Sequence, residues 1–198
     1  MSNLEKYINE DAMHDIDPLI KMAIIHYQFE SIHHFYDGNG RTGRIINILY
    51  LLQKKLLDIP VLYLSKYIIE NKTNYYRLLQ RVRTENDWGS WIIWMLNGVE
   101  ETSQHTIKMI SEIKKLMLNY KHGIRNQYKF YSQDLINNLF KHPYTKIEFV
   151  EQELMVSRKT AASYLNQLAK DGFLEKIKLQ KNNFYVNLPL FKLFVGKE

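Results

Sequence analysis

The segment that decides the fold of this 198-residue chain covers residues 33–44 and reads HHFYDGNGRTGR. Apolar residues recur at helical spacing before it, over residues 19–32, and after it, over residues 45–52. Asp17 followed by Pro18 is typical of a helix N-cap with proline at the first helical position. The Asp, Asn and Gly residues in between are a turn signal. The pattern therefore predicts two helices joined by a tight polar loop.

This loop carries groups suited to binding a phosphate. Gly38 and Gly40 let the backbone approach a ligand closely, and the free N–H groups that open a helix favour an anion. Arg41 and Arg44 are three residues apart and share a helical face, where two guanidinium groups would grip phosphate oxygens. Asp37 is a hard oxygen ligand suited to Mg²⁺.

His33 adds a candidate general base at the end of the first helix, because an imidazole ionises near neutral pH. Together these groups indicate attack on a nucleotide phosphate, helped by positioning and electrostatic stabilisation. The string is not a Walker loop, which needs Gly-x-x-x-x-Gly-Lys-Ser/Thr, nor a Rossmann fingerprint, which follows a strand. The structural alternative is a helical corner with its arginines in solvent.

The same stretch resembles the Fic family signature, His-Pro-Phe-x-Asp-Gly-Asn-Gly-Arg-x-x-Arg. It matches at His33, Phe35, Asp37, Gly38, Asn39, Gly40, Arg41 and Arg44. Residues 26–32 look like the lead-in helix of the family, and a looser similarity continues to about residue 101. The resemblance implies a mainly α fold, a Fic-type helical bundle.

The resemblance also implies an activity, the transfer of AMP from ATP to a Ser, Thr or Tyr hydroxyl of a target protein. It makes His33 the base that takes the hydroxyl proton and Asp37 the ligand of Mg²⁺. The phosphates would be held by Gly38, Asn39, Gly40, Arg41 and Arg44. Tyr75 and Tyr76 would wall the adenine pocket, although paired aromatic residues on a helix are more often core.

Some features depart from the family pattern. His34 stands where proline is usual, and no β-hairpin flap is predicted before Asp17. The inhibitory motif Ser/Thr-x-x-x-Glu-Gly/Asn is not found, and its nearest counterpart, residues 65–71, has one intervening residue too many. Two hypotheses stand: an active protein adenylyltransferase, or an inactive truncated Fic remnant that acts by binding DNA or protein.

A metal site is a competing interpretation of the histidines. His26, Glu30 and His33 fall on one helical face, and His34 or Asp37 could add a ligand for zinc or iron. The spacing is not His-Glu-x-x-His, so a zincin mechanism has no support. A buried, hydrogen-bonded His26 is the favoured interpretation.

The C-terminal part resembles a winged helix-turn-helix. Three helix-sized segments, residues 132–141, 146–154 and 157–170, precede a hairpin pattern centred on residues 180–183. The predicted domains are therefore 1–120 and 131–198, with a linker at 121–130. The third helix of such a fold can enter the major groove. Candidate contacts to DNA or to a protein partner are Arg158, Lys159, Thr160 and Ser163, with Lys178 and Lys181 on the wing.

Composition bounds the remaining possibilities. The chain is 45% hydrophobic and has no cysteine, which excludes disulfides and thiolate metal sites. The N-terminus does not read as a secretory signal, and no apolar run reaches the roughly 18 residues of a membrane span. A cytoplasmic protein without a membrane partner is expected. The net charge of +6 is split between residues 1–106, at −2, and residues 107–198, at +8, which suggests two modules with different partners.

Overall fold

The computed structural model describes residues 1–10 and 16–196, and it divides into two compact units, Met1–Ile107 and Lys108–Glu198. Helices dominate, with one small three-stranded antiparallel sheet in the second unit. The predicted fold class, a helical bundle followed by a small module with a hairpin, is confirmed. None of the helices described for residues 1–10 and 16–196 is long and apolar enough to cross a membrane.

Unit 1 is helical throughout its regular structure. Its helices are α1 Ser2–Asn9, α2 Pro18–Ile32, α3 Asn39–Gln53, α4 Leu64–Glu70 and α5 Lys72–Glu85. It also contains the first part of α6, a helix that runs from Trp88 to Gln127. The expected lack of a hairpin before Asp17 concerns a segment that includes residues 11–15, which lie outside the described residues.

The predicted start of α2 is confirmed by its capping. The Asp17 carboxylate accepts a hydrogen bond from the Leu19 N–H at 2.8 Å, and Pro18 occupies the first helical position. Further along, the Ala23 carbonyl accepts a bond from the Trp91 indole at 2.9 Å, so α2 is tied to α6 inside the core. The largest fully buried side chains of this core include Trp91, Phe29, Met22, Ile25, Leu51 and Met95.

A close approach of α2 and α3 depends on Gly43. A Cβ at this position would lie 2.8 Å from Glu30 Oε1, 3.2 Å from Phe29 Cδ1 and 3.3 Å from His26 Cε1. A side chain at this position would require the end of the Glu30 side chain to move and the rings of Phe29 and His26 to shift, so the close packing of α2 against α3 depends on this glycine. The loop between them is therefore held against the packed interior.

Glycine inside a helical pattern lowers helix stability, yet α6 is continuous at Gly98. Gly98 is buried, and a Cβ on it would lie 2.6 Å from the Tyr67 ring. Gly98 thus allows close packing of α6 against the Tyr67 ring and does not end the helix.

Unit 2 begins with the last part of α6. It continues with α7 Gln133–Lys141, β1 Tyr144–Thr145, α8 Ile147–Leu154, α9 Arg158–Lys170, β2 Glu175–Leu179, β3 Asn182–Val186 and α10 Leu188–Val195. The strands pair antiparallel in the order β1-β3-β2, with Ile177 opposite Phe184 and Thr145 opposite Tyr185. The predicted helices and hairpin of this half are confirmed, whereas β1 and α10 carried no signal strong enough to be predicted.

The interval expected as a linker, residues 121–130, is helical as far as Gln127. Ile124 is fully buried and Tyr120 nearly so, both in the core of unit 2. The Tyr120 hydroxyl donates to the Phe173 carbonyl at 2.7 Å. The apolar periodicity of this segment is weak, so the sequence did not predict the helical face that packs in the core of unit 2.

Candidate active site

The site lies in the loop between α2 and α3, and this loop begins where α2 ends at His33. This residue adopts a left-handed conformation, φ +47° and ψ +51°, and its N–H donates to the Phe29 carbonyl at 3.2 Å. Few residues other than glycine adopt this region, so the backbone is constrained here. The turn ends α2 and leaves the His33 side chain exposed at the mouth of a cleft.

Asn39 fixes the loop from inside. Its side chain is 4% exposed; its amide oxygen accepts the Phe35 N–H at 2.9 Å and its amide nitrogen donates to the Phe35 carbonyl at 2.6 Å. One buried side chain thus satisfies both backbone groups of a residue four positions earlier. Because buried backbone groups need hydrogen-bonding partners, this pair of hydrogen bonds holds the turn in one conformation.

The Asp37 carboxylate lies at the exposed start of α3. Its Oδ1 accepts the Gly38 N–H at 2.6 Å and its Oδ2 accepts Arg41 Nη2 at 3.1 Å, with the two side chains 83% and 73% exposed. Gly38 has φ +87°, which a side chain would strain. At this exposure the ion pair is easily exchanged for other ligands, so both groups are available to a bound anion or cation.

Glu30 is a group that sequence reasoning did not place in the phosphate site. Its Oε1 is shielded from solvent and accepts no hydrogen bond, and it lies within 3.8 Å of the Cβ position of Gly40. Arg44 Nη1 lies 3.1 Å from that same position. Burial raises the pKa of Glu30, while the positive charges of Arg44 and His33 oppose that rise.

A cleft of about 720 Å³ opens over these groups. It collects every residue predicted for the nucleotide site: His33, Asp37, Gly38, Asn39, Gly40, Arg41, Arg44, Tyr75 and Tyr76. Lys72 and Arg83 of α5 also line it. Four cationic side chains therefore face two carboxylates, Asp37 and Glu30, a balance that favours an anionic ligand.

Lys72, Gln80 and Arg83 were missed by sequence reasoning. They lie on α5, far along the chain from the loop, and only the tertiary fold brings them to it. A signal was present, since residues 72, 76, 80 and 83 repeat at helical spacing and so share a face with Tyr76.

The two tyrosines differ in exposure. Tyr75 is 4% exposed, and its hydroxyl lies 3.0 Å from Nε2 of His26, whereas Tyr76 is 58% exposed beside it. Burial raises the pKa of Tyr75 well above its usual range, and the Glu30 charge adds to the rise. Tyr76 therefore offers the larger free ring surface to a ligand, and Tyr75 supports it from below.

His26 is a buried structural residue. Its Nδ1 lies 3.0 Å from the Asn47 amide nitrogen and its Nε2 contacts Tyr75, so both ring nitrogens are occupied. Burial is the main cause that lowers the pKa of His26 to about 4. Among residues 1–10 and 16–196, no group of three His, Cys, Asp or Glu side chains could hold a metal ion. The two hydrogen-bonded ring nitrogens agree with the favoured interpretation of His26.

The candidate contacts in unit 2 lie at one end of α9 and on the hairpin. Arg158, Lys159 and Ser163 are exposed on α9, and Lys181 is exposed in the turn between β2 and β3. Thr160 differs, because its hydroxyl is 2.8 Å from the Ser157 hydroxyl and takes part in the helix cap.

Comparison with protein families finds two models that match this chain. Residues 1–51 match the family model described as "Fic/DOC family", and residues 116–190 match the one described as "Protein adenylyltransferase SoFic-like, C-terminal domain". Residues 1–51 are thus similar to the Fic/DOC family, as the resemblance of the loop predicted. The Fic match contains the whole loop of the candidate site, from His33 to Arg44.

Two curated relatives carry the same family name. This chain is 30% identical over 119 residues to protein adenylyltransferase fic-1 of Caenorhabditis elegans, and the match covers 60% of this chain and 22% of that protein. It is 26% identical over 102 residues to protein adenylyltransferase Fic of Drosophila melanogaster, covering 52% of this chain and 19% of that protein. The chain thus spans about a fifth of the length of these relatives. A Fic family protein from Desulfovibrio desulfuricans has a crystal structure that matches over 93% of this chain and 53% of its own, with 23% identity and a TM-score of 0.49.

Proposed function

We propose that this chain transfers AMP from ATP to a hydroxyl side chain of a target protein. The observation that carries the proposal is the single cleft that unites an exposed His33, the anion-binding start of α3 and the rings of Tyr75 and Tyr76. The names of the curated relatives, which are protein adenylyltransferases, support it. The match to the Fic loop supports it as well.

The chemistry is a substitution at the α-phosphorus of ATP. The oxygen of the target hydroxyl forms a bond to this phosphorus, the bond to the bridging oxygen breaks, and pyrophosphate leaves. His33 accepts the hydroxyl proton, because its ring is exposed at the rim of the cleft where a target segment can reach it. The product is a protein bearing AMP on a phosphodiester.

Charge stabilisation would come from α3 and its two arginines. The N–H groups of the first turn of α3, which begins at Asn39, would offer the phosphates hydrogen bonds and the positive end of the helix dipole. Arg41 and Arg44 would neutralise the terminal phosphates, and Lys72 and Arg83 would extend the cationic lining. Tyr76 would stack on the adenine, with Tyr75 as its support.

The residues fit a magnesium ion that arrives with the nucleotide. Asp37 presents a hard, exposed carboxylate next to the phosphate-binding backbone, and Mg²⁺ in such sites uses one or two carboxylates plus substrate phosphates. When bound, the ion supplies neutralisation of phosphate charge. Asp37 would hold it by exchanging its present contact with Arg41.

Unit 2 is proposed to act as a winged-helix recognition module. The order of its helices and strands supports this role, as does its charge of +8, from 16 basic and eight acidic residues over residues 108–198. The module would bring the Fic unit to a partner that α9 recognises.

The decisive test is incorporation of label from α-phosphate-labelled ATP and Mg²⁺ into protein, with the chain alone and in a lysate. His33→Ala should abolish the label, while His34→Ala, an adjacent exposed histidine outside the cleft lining, should retain it. Equal labelling by wild type and by His33→Ala would reject adenylyl transfer from ATP. An absence of labelling by folded wild-type protein would reject it as well. The inactive-remnant hypothesis would then stand.

A further inference from the structure

We propose that Glu30 is a positioning residue that holds the Arg44 guanidinium in place for the terminal phosphates of ATP. The inference rests on the proposed function, because it takes ATP as the ligand of the cleft, and it adds a residue of α2 to that site. Glu30 belongs to the last turn of α2 and Arg44 to the second turn of α3. Both side chains line the cleft.

The Glu30 carboxylate lies directly against α3. Its Oε1 is 2.8 Å from the point where a Cβ of Gly43 would stand and 3.8 Å from the corresponding point of Gly40. Two glycines on one face of α3 therefore leave the room that the carboxylate occupies. Oε1 is shielded from solvent and accepts no hydrogen bond. Because a ligand in the cleft does not reach a shielded oxygen, Oε1 acts on the nucleotide only through a neighbouring group.

Arg44 is the neighbouring group that has hydrogen-bond donors to offer. Its Nη1 lies 3.1 Å from the same Gly40 point, so the guanidinium and the carboxylate approach one place from two helices. The other polar neighbours are already engaged, because the Tyr75 hydroxyl and both ring nitrogens of His26 lie in buried hydrogen-bond contacts. Burial raises the pKa of Glu30, and the positive charge of Arg44 is the largest effect that opposes this rise.

The structure shows this pair close together but not joined. Within the part of the chain that the structure describes, no carboxylate lies within 4.0 Å of the Arg44 guanidinium. A buried carboxylate oxygen without a donor costs free energy, which a charge-assisted hydrogen bond from Arg44 would recover. A guanidinium has five N–H donors, so Arg44 can donate to Glu30 and to phosphate oxygens at the same time. A side chain held in this way loses less freedom when a phosphate binds.

Glu30 has two effects of opposite sign on an anionic ligand. Its negative charge repels phosphates, whereas its contact with Arg44 strengthens their binding. Burial favours the uncharged carboxyl group and so weakens the repulsion. A carboxyl oxygen accepts a hydrogen bond from Arg44 in either protonation state, so the positioning effect persists. Loss of the oxygen acceptor at residue 30 is therefore expected to weaken ATP binding, whereas repulsion alone would make it tighter.

The test is calorimetric titration of the full chain with ATP and with AMP, each in the presence of Mg²⁺. Glu30→Met is similar in length but has no oxygen acceptor, and it should bind ATP roughly tenfold more weakly than wild type. It should bind AMP like wild type, because AMP lacks the terminal phosphates that Arg44 would hold. Glu30→Gln keeps an acceptor oxygen, so its ATP affinity should lie between the two. Glu70→Gln removes an exposed carboxylate of α4 outside the cleft lining and should change neither affinity.

A double-mutant cycle tests whether Glu30 acts through Arg44. In the Arg44→Ala background, Glu30→Met should cause no further loss of ATP affinity, because two groups that act as a unit are not additive. Circular dichroism would verify that each variant is folded. If Glu30→Met does not fold, Glu30→Ala gives the same comparison.

Several outcomes would overturn the proposal. Unchanged or tighter ATP binding by Glu30→Met would leave repulsion as the only effect of the carboxylate. Equal losses for ATP and AMP would indicate a purely structural role, and equal losses with and without Arg44 would exclude an action through that residue. Transfer of AMP label by wild type alongside any of these results would reject this inference and leave the proposed function standing. Coupled binding of ATP without transfer of label would support the role of Glu30 and reject adenylyl transfer alone.

Discussion

His26 Nε2 lies 3.0 Å from the hydroxyl oxygen of Tyr75, and this buried contact joins α2 to α5 beneath the candidate site. The His26 ring also stacks on Trp91, with ring centres 6.1 Å apart. The contact places the aromatic side of the cleft at a fixed distance from the loop that follows α2. A core histidine thus controls the geometry of a site to which it contributes no reacting group.

The first prediction concerns acid stability. Because burial lowers the pKa of His26 to about 4, the folded state resists a proton that the unfolded chain accepts near its ordinary pKa of about 6.5. The stabilising contribution is complete above pH 6.5 and is lost as the pH falls toward 4. Its upper limit is on the order of 3 kcal/mol. Urea denaturation at a series of pH values would measure it.

The matched variant for this prediction is His26→Gln. It should be less stable than wild type at neutral pH, and the difference between the two should shrink between pH 6.5 and 4. The raised pKa of Glu30 acts in the opposite direction at low pH, but it is common to both proteins. A constant difference across this range would show that His26 does not titrate as described.

The second prediction concerns Asn39. Replacing it with alanine leaves the N–H and carbonyl of Phe35 without their buried partner, at a cost of about 1–3 kcal/mol of unfolding free energy. Asn39→Asp keeps the acceptor for the N–H and loses the donor, so it should fall between wild type and Asn39→Ala. Chemical denaturation checks the order. A wild-type midpoint for Asn39→Ala would mean that the loop does not need this side chain.

The third prediction concerns the contact of α2 with α3. Gly43→Ala would place a methyl group 2.8 Å from Glu30 Oε1 and within 3.3 Å of His26, so it should destabilise the chain by about 1–3 kcal/mol. It should also weaken ATP binding, since the Glu30 side chain, which lines the cleft, must move. Gly89→Ala is the control, because its Cβ would meet nothing closer than Asp87 Oδ1 at 3.9 Å. That variant should be neutral or slightly stabilising. Thermal denaturation and nucleotide titration would compare the two variants. Equal melting temperatures and equal ATP affinities for Gly43→Ala and Gly89→Ala would contradict the prediction.

The fourth prediction concerns the turn between α8 and α9. Met155 has φ +51° and ψ +41° and is 92% exposed, so it bears left-handed strain with little packing in return. Met155→Gly should stabilise the chain by about 0.5–1 kcal/mol, because glycine adopts this conformation freely. Met155→Ala removes the same side chain but keeps the Cβ, and it should bring no gain. A melting temperature for Met155→Gly at or below that of Met155→Ala would refute this account.

Local signals determined the helix-loop-helix and most of the site. Asp17 and Pro18 start α2, the Asp-Gly-Asn-Gly cluster ends the helical pattern, and residues 33–44 bring five phosphate-binding candidates together because they are adjacent in the chain. Such signals act over a few residues, through capping, turn chemistry and helical spacing. The hairpin of unit 2 was found in the same way.

Contacts between distant residues were decided only by the tertiary structure. Lys72 and Arg83 reach the cleft because α5 packs beside α2, and Tyr75 becomes a buried support because His26, 49 residues earlier, meets its hydroxyl. Residues 121–127 are helical because burial of Ile124 stabilises a weakly periodic segment. A sequence pattern records which groups are near along the chain, whereas burial and long-range hydrogen bonds depend on how helices pack. The sequence of this chain therefore determined the loop that carries the chemistry, and packing decided the shape and charge of the cleft around it.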